Sequence, residues 1–219
     1  MMKVLANPIE EMGATIPFPR GAAIYRESDP ASYLYKVAAG TVRSFKTLSN
    51  GRRQIGAFYL PGDIFGLEAG EVHAFSAEAI TDAKLLMIER KALVALAARD
   101  NDVAHQLWSL TSGELRRVQN HVLLLIQSAH ERVAGFLLEM ADRVPAGGEI
   151  ELPMPRQDVA DYLGLTIETV SRTLTHLERR GAITLPTSRR VVHCRSALNQ
   201  INAESGWQLR GTTGQACYQ

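Results

Sequence analysis

The stretch Arg156-Gln-Asp-Val-Ala-Asp-Tyr-Leu-Gly-Leu-Thr-Ile-Glu-Thr-Val-Ser-Arg172 decides the reading of this 219-residue chain. Gln157–Leu163 predicts a seven-residue helix with Val159, Ala160 and Leu163 turned inward. Gly164 breaks that helix and supplies the left-handed conformation that a tight helix–helix turn demands. Thr166 stands where the next helix, Ile167 to Arg180, needs an N-cap. Val170, Leu174 and Leu177 recur at helical spacing as its buried stripe, and Gly181 ends it. The pattern is a helix–turn–helix, with Ala160 small where two helices must approach closely.

The outward face of the second helix carries Ile167, Glu168, Ser171, Arg172 and Thr175. Glu168 and Arg172 stand at i,i+4 on the side a DNA major groove would see. Arginine donates two bonds to guanine O6 and N7, and glutamate accepts from cytosine N4. An exposed Glu–Arg pair also arises on any solvated helix, where it contributes about 0.2–0.5 kcal/mol. The sequence that follows favours the DNA reading. Ala182–Leu185, a turn at Pro186–Ser188, and Arg189–His193 form a hairpin, the wing of a winged helix. Its tip offers Thr187, Ser188, Arg189 and Arg190 to phosphates, contacts that position a protein without reading sequence. Between Arg156 and Arg195 stand seven arginines and four acidic residues, a balance of +3 inside a chain of net charge +1. The modest total conceals a basic module.

Upstream, from Ile16 to Glu89, the text is strand-like. Ser32–Ala38, Thr41–Leu48, Gln54–Tyr59 and Lys84–Ile88 are separated by turn signals at Gly21, Asp29-Pro30, Ala39-Gly40, Asn50-Gly51 and Pro61-Gly62-Asp63. Asn50-Gly51 predicts a type I′ hairpin. Such spacing implies a small antiparallel roll. After a short helix, Lys91–Ala98, the stretch Asp102–Gln127 predicts a long helix with a seam at Leu107, Thr111, Leu115, Val118, Val122 and Leu125. The seam can face a second copy or the chain's own roll. A 26-residue helix is about 39 Å long, more than one small roll covers, which favours a homodimer. Ala129–Val144 is a second amphipathic helix, and Glu149–Met154 reads as a short strand. The expected fold is α+β: residues 1–100 an antiparallel β-roll, 101–128 a dimerisation helix, 129–205 a winged helix–turn–helix, and 206–219 a frayed tail.

Composition excludes other classes. Apolar residues make up 46 % and charged residues 21 %, globular values. Two cysteines, Cys194 and Cys217, make neither a disulfide framework nor a four-cysteine metal site. The first twenty residues do not read as a signal peptide, and apolar runs such as Val122–Ile126 are far short of a membrane span. A reducing, cytoplasmic setting without membrane association is expected. A cupin-like metalloenzyme needs several converging His and Glu ligands, yet His73 is the one histidine in the first 100 residues, so no metal site and no enzyme are expected.

These residues carry a resemblance. Leu163–Arg172 with Arg156–Ala160 ahead of it is similar to the winged-helix signature of the cyclic-AMP receptor/fumarate–nitrate reductase regulator (CRP/FNR) superfamily. Pro61-Gly-Asp-Ile-Phe-Gly66 resembles the turn of that family's β-roll, so the likeness spans residues 15 to 200. It implies a cytoplasmic homodimeric transcription factor that sets two recognition helices in successive major grooves of double-stranded palindromic DNA and touches RNA polymerase. By resemblance Glu168, Ser171 and Arg172 read bases, on half-sites of the TTGAT-N4-ATCAA type. Arg156, Gln157, Thr166 and Thr169 fall at phosphate-contacting positions. Ile167 replaces an arginine of the cyclic-AMP branch, which removes one guanine contact.

The roll departs from the best-known members. No arginine stands between Arg53 and Arg90, so a cyclic phosphate would lack its cationic partner. The four cysteines of an oxygen-sensing iron–sulfur cluster are absent, and His73 reads as an ordinary loop residue and not a haem ligand. No cofactor is expected. What remains resembles the FixK-like group, cluster-less activators whose resemblance implies control of low-oxygen respiration or nitrogen-fixation genes; a repressor, effector-gated or redox-gated, is the alternative within the same superfamily. Cys194, between His193 and Arg195, is a candidate redox residue because cationic neighbours favour the thiolate.

Overall fold

The computed structural model describes residues 11–68, 70–143, 149–187, 189–193 and 195–203. Eight short strands come first. β1 (Ala14–Phe18), β8 (Ala83–Glu89), β3 (Tyr33–Ala39) and β6 (Ile64–Phe65) form one antiparallel sheet in that order. β2 (Ala23–Tyr25), β7 (Ser76–Ala79), β4 (Val42–Thr47) and β5 (Arg53–Tyr59) form the other. Alternation along these strands sends Tyr35, Val37, Val42, Ala57, Tyr59, Phe65 and Leu85 into a shared core. The expected antiparallel roll is present.

The β4–β5 hairpin forms as expected, with a different turn. A type I′ turn needs positive φ at both central residues, but among the described non-glycine residues only Ser28 has positive φ, so Asn50 does not supply it. Leu48 and Arg52 instead close a three-residue loop: the Leu48 N–H donates to the Arg52 carbonyl at 2.8 Å, and the Gly51 N–H to the Leu48 carbonyl at 2.9 Å. Gly51, at φ +79°, takes the left-handed position that ends such a loop. Asn50 serves through its side chain, whose Oδ1 accepts from the Arg52 N–H at 3.0 Å.

Burial holds the tyrosine phenols of this core neutral. Tyr59 is pushed up to about 12, by burial first and by Glu114 second. Tyr35 is pushed up to about 12 by burial and then by Tyr33. A raised phenol contributes stability that is complete below its ordinary value near 10 and is lost as pH climbs through about 12. Thermal melts followed by circular dichroism should therefore hold level up to pH 9 and fall between pH 10 and 12, by on the order of 2–3 kcal/mol from Tyr59 alone. Unchanged melts across that interval would contradict the burial.

After the roll come α1 (Arg90–Ala97) and α2 (Asn101–Leu125). Asp100 caps α2, accepting from the Asp102 and Val103 N–H groups. Leu34, Ile64, Ile88, Leu93 and Val103 form a second cluster, with Leu107 and Leu110 packed on it. Leu107, expected in the seam, is thus half-buried against the chain's own roll. Thr111, Leu115, Val118 and Val122 are exposed, and Leu125 is half-buried. The exposed stripe includes Trp108 and Ile126, 73 % and 78 % exposed, one residue along from Leu107 and Leu125 in each case.

The rest comprises α3 (Ala129–Arg143), β9 (Glu149–Glu151), α4 (Arg156–Leu163), α5 (Ile167–Arg179), β10 (Ile183–Thr184), β11 (Arg190–His193) and α6 (Arg195–Ala203). β10, β11 and β9 make a three-stranded antiparallel sheet in that order. α3 buries Val133, Phe136, Leu137 and Met140 and packs on α6 and β9. Two packed units result, Met1–Ile126 with Pro153–Val170, and Gln127–Leu152 with Ser171–Gln219. α4 and the first turn of α5 therefore belong to the unit built on the roll. Among the described residues no helix is long and apolar enough to cross a membrane. The proposed tail, 206–219, lies outside the described residues.

Candidate nucleic-acid interface

α4 ends at Gly164, whose φ of +62° and ψ of +36° are left-handed. The Leu165 N–H returns to the Ala160 carbonyl at 2.9 Å and closes the turn. Thr166 then caps α5: its Oγ1 accepts from the Thr169 N–H at 3.2 Å and lies 3.0 Å from the Thr169 hydroxyl. Both threonines expected at phosphates are thus also structural groups of the helix start. Four N–H groups at such an end have no helical acceptor, which suits it to a phosphate.

Val170, Leu174 and Leu177 are buried at 0 %, 5 % and 0 % exposure, as the spacing requires. The opposite face leaves Glu168, Arg172 and Thr175 exposed and Ser171 half-buried. The Ser171 carbonyl accepts from the Thr175 hydroxyl at 3.1 Å. Gln157 is exposed and Arg156 half-buried at the start of α4; Gln157 Nε2 donates to Asp161 Oδ1 at 2.7 Å.

The wing is present between β10 and β11, pairing Ile183 with His193 and Thr184 with Val192. Its root is tied to α5 by the Leu185 N–H, which donates to Glu178 Oε1 at 3.0 Å. The Arg189 carbonyl accepts from the Leu152 N–H at 2.8 Å, while its side chain is exposed. Thr187 is exposed as well. Ser188, Cys194 and the Arg190 side chain lie outside the described residues. Sequence reasoning missed Asp158 and Tyr162, both buried on α4 at 0 % and 3 % exposure. No periodicity distinguishes a buried aspartate from a solvated one.

His73 is not a loop-surface residue. It is 1 % exposed, stacked on Tyr25 with ring centroids 3.5 Å apart, and its Nδ1 lies 3.2 Å from Glu68 Oε1. Tyr25, Tyr35, Tyr59 and Phe65 fill the roll beside it with ring-to-ring contacts of 4.7–6.1 Å. Arg90, which follows the arginine-free stretch, spends its guanidinium on the carbonyls of Ala31, Gly70 and Glu68. Among the described residues no cluster of three or more His, Cys, Asp or Glu could hold a metal ion.

Comparison with known proteins agrees with this layout. The Crp-like helix-turn-helix domain family matches residues 131–201, and the cyclic nucleotide-binding domain family matches residues 15–100. The nitrogen fixation regulation protein FixK of Azorhizobium caulinodans is 46 % identical over 205 residues, covering 90 % of this chain and 83 % of that protein. The transcriptional activatory protein AadR of Rhodopseudomonas palustris is 36 % identical over 181 residues, 80 % of this chain and 76 % of that protein. The structure of FixK2 from Bradyrhizobium japonicum superposes with a TM-score of 0.84 at 47 % identity, over 87 % of this chain and 98 % of that one. A roll, a long helix with an exposed apolar stripe, and a winged helix–turn–helix are the parts of a DNA-binding regulator: the chain belongs to the FixK-like group of the CRP/FNR superfamily of transcriptional regulators.

Proposed function

We propose that the chain acts as a homodimer that activates transcription from TTGAT-N4-ATCAA-type palindromes, controlling low-oxygen respiration or nitrogen-fixation genes without cyclic nucleotide or iron–sulfur cluster. The carrying observation is the outward face of α5, where Glu168, Ser171 and Arg172 stand together above a buried stripe. Glu168 and Arg172 read base edges, Ser171 adds a third polar contact, and Arg156, Gln157, Thr166, Thr169, Ser188, Arg189 and Arg190 hold phosphates. The stripe Thr111, Leu115, Val118 and Val122, extended by Trp108 and Ile126, pairs two copies so that one reading head meets each half-site. The name of AadR supports activation and that of FixK supports nitrogen fixation as the controlled process. RNA polymerase is the partner that activation requires.

The test is a titration of protein, without added ligand, onto a fluorescent TTGAT-N4-ATCAA duplex and a scrambled duplex at about 150 mM salt, where non-specific binding is suppressed. Two chains per specific duplex, with at least a hundredfold preference over the scrambled one, is the expected result. Equal weak binding to both would overturn the operator assignment.

A further inference from the structure

Asp158 lies on the buried face of α4, and its carboxylate is held by two arginines of the roll. Oδ2 accepts from Arg43 Nη1, and Oδ1 accepts from Arg53 Nη2 at 2.8 Å. The Arg43 Nη2 donates to Glu78 at 2.9 Å, and Arg53 Nε lies 3.6 Å from Asp161. Both guanidinium groups lie over the Phe45 ring, at 5.8 Å and 5.4 Å. One turn along α4, the Tyr162 carbonyl accepts from His121 Nε2 at 2.8 Å and from Gln54 Nε2 at 3.4 Å. The Tyr162 ring stacks on the His121 imidazole at 3.9 Å and meets Phe58 at 5.2 Å. α4 is thus gripped from two sides: by β4 and β5 through Asp158, and by α2 through Tyr162.

Stability does not explain this grip. A buried ion pair roughly balances its desolvation cost, and Arg43 Nε is buried without an acceptor among the described residues. What a buried pair does provide is a single register. His121 lies between Val118 and Val122 on the helix that carries the exposed stripe, so the grip refers α4 to the seam. The first turn of α5, with Glu168, shares the unit in which α4 is held.

We infer that Asp158 and Tyr162 are positioning residues for operator spacing: they fix α4, and the start of α5 with it, relative to the helix through which two copies pair. This rests on the dimeric, palindrome-reading function above. A dimer gains from its second half-site only when the second reading head is already at the right separation. Loosening α4 leaves each half-site contact intact and removes the discrimination between spacers.

The experiment uses the full-length protein, wild type, Asp158→Asn and Arg53→Gln, on duplexes with N4, N5 and N6 spacers and on a single TTGAT half-site. Arg53 is 30 % exposed and Asp158 keeps its bond to Arg43 when Arg53 is replaced, so Arg53→Gln serves if Asp158→Asn does not fold. Wild type should prefer N4 over N6 by about a hundredfold, and the variants should lower that ratio about tenfold while half-site affinity stays within about twofold. Light scattering should show the wild-type dimer mass throughout. A wild-type N4:N6 ratio in the folded variants overturns the inference, as does tighter binding to N4, which would make the grip inhibitory. Half-site binding lost in step with N4 binding would reduce the grip to a folding role and overturn it too. A wild type that ignores TTGAT altogether overturns the operator assignment first, in the wild-type titration alone, and the inference falls with it.

Discussion

Arg172→Ala should lower affinity for the TTGAT-N4-ATCAA duplex by about 1–3 kcal/mol at each half-site, roughly 30-fold to 10⁴-fold for the palindrome. The side chain stands exposed one turn after Glu168, and its loss removes a bidentate donor without opening the α5 core of Val170, Leu174 and Leu177. Binding to scrambled DNA should fall little, because phosphate contacts elsewhere sustain it. Arg189→Ala is the internal contrast. That exposed wing residue should weaken both duplexes alike and reduce the slope of log affinity on log salt by about 1 per subunit. Competition titrations at three salt concentrations separate the two. Equal losses on specific and scrambled DNA for Arg172→Ala would remove its assignment to a base edge.

Leu115→Glu and Val122→Glu should each convert the dimer to a monomer. The two positions are 58 % and 56 % exposed in the single chain, so neither substitution disturbs its interior. In the paired form a carboxylate would be desolvated against its own copy, at a cost of several kcal/mol per charge. Multi-angle light scattering should report half the wild-type mass, and the palindrome should bind no better than a half-site. Dimer mass retained in both variants would place the seam on another face.

The stripe of α2 also shows where reading the sequence stopped short. Spacing alone placed Thr111, Leu115, Val118 and Val122 on an outward line, where they stand. At the two ends of that line Leu107 and Leu125 are half-buried, and their neighbours Trp108 and Ile126 are exposed. The cause is that α2 serves two surfaces at once. Val103, Leu107 and Leu110 pack on the roll, while Trp108, Leu115, Val118, Val122 and Ile126 stay open. A periodic pattern reports that a face is apolar and not what covers it.

Similar limits apply elsewhere. The longer strands β3, β4, β5 and β8 were legible because alternation and turn residues agree there. β6, with Ile64 and Phe65, is too short to alternate. Asn50-Gly51 marked the hairpin correctly, but the dipeptide serves a three-residue loop as well as a two-residue one, and strand register decides between them. The helix–turn–helix was legible almost residue by residue, since caps, a left-handed glycine and a buried stripe are local features. The grip on Asp158 joins residues 105 and 115 positions apart, and no local pattern announces it.

The two stripes of α2 bear on how chains of this kind can change length. One inserted residue turns everything beyond it by about 100°, so an insertion between Leu110 and Leu115 would leave the roll seated and swing the open stripe a quarter-turn or more away from a second copy. Seven residues restore the phase to within about 20° while moving the far end by about 10 Å. Gain or loss of helix there is therefore quantised: seven or eleven residues keep the phase to within about 20° and eighteen restore it, so such lengths would alter the reach of the pair instead of abolishing it.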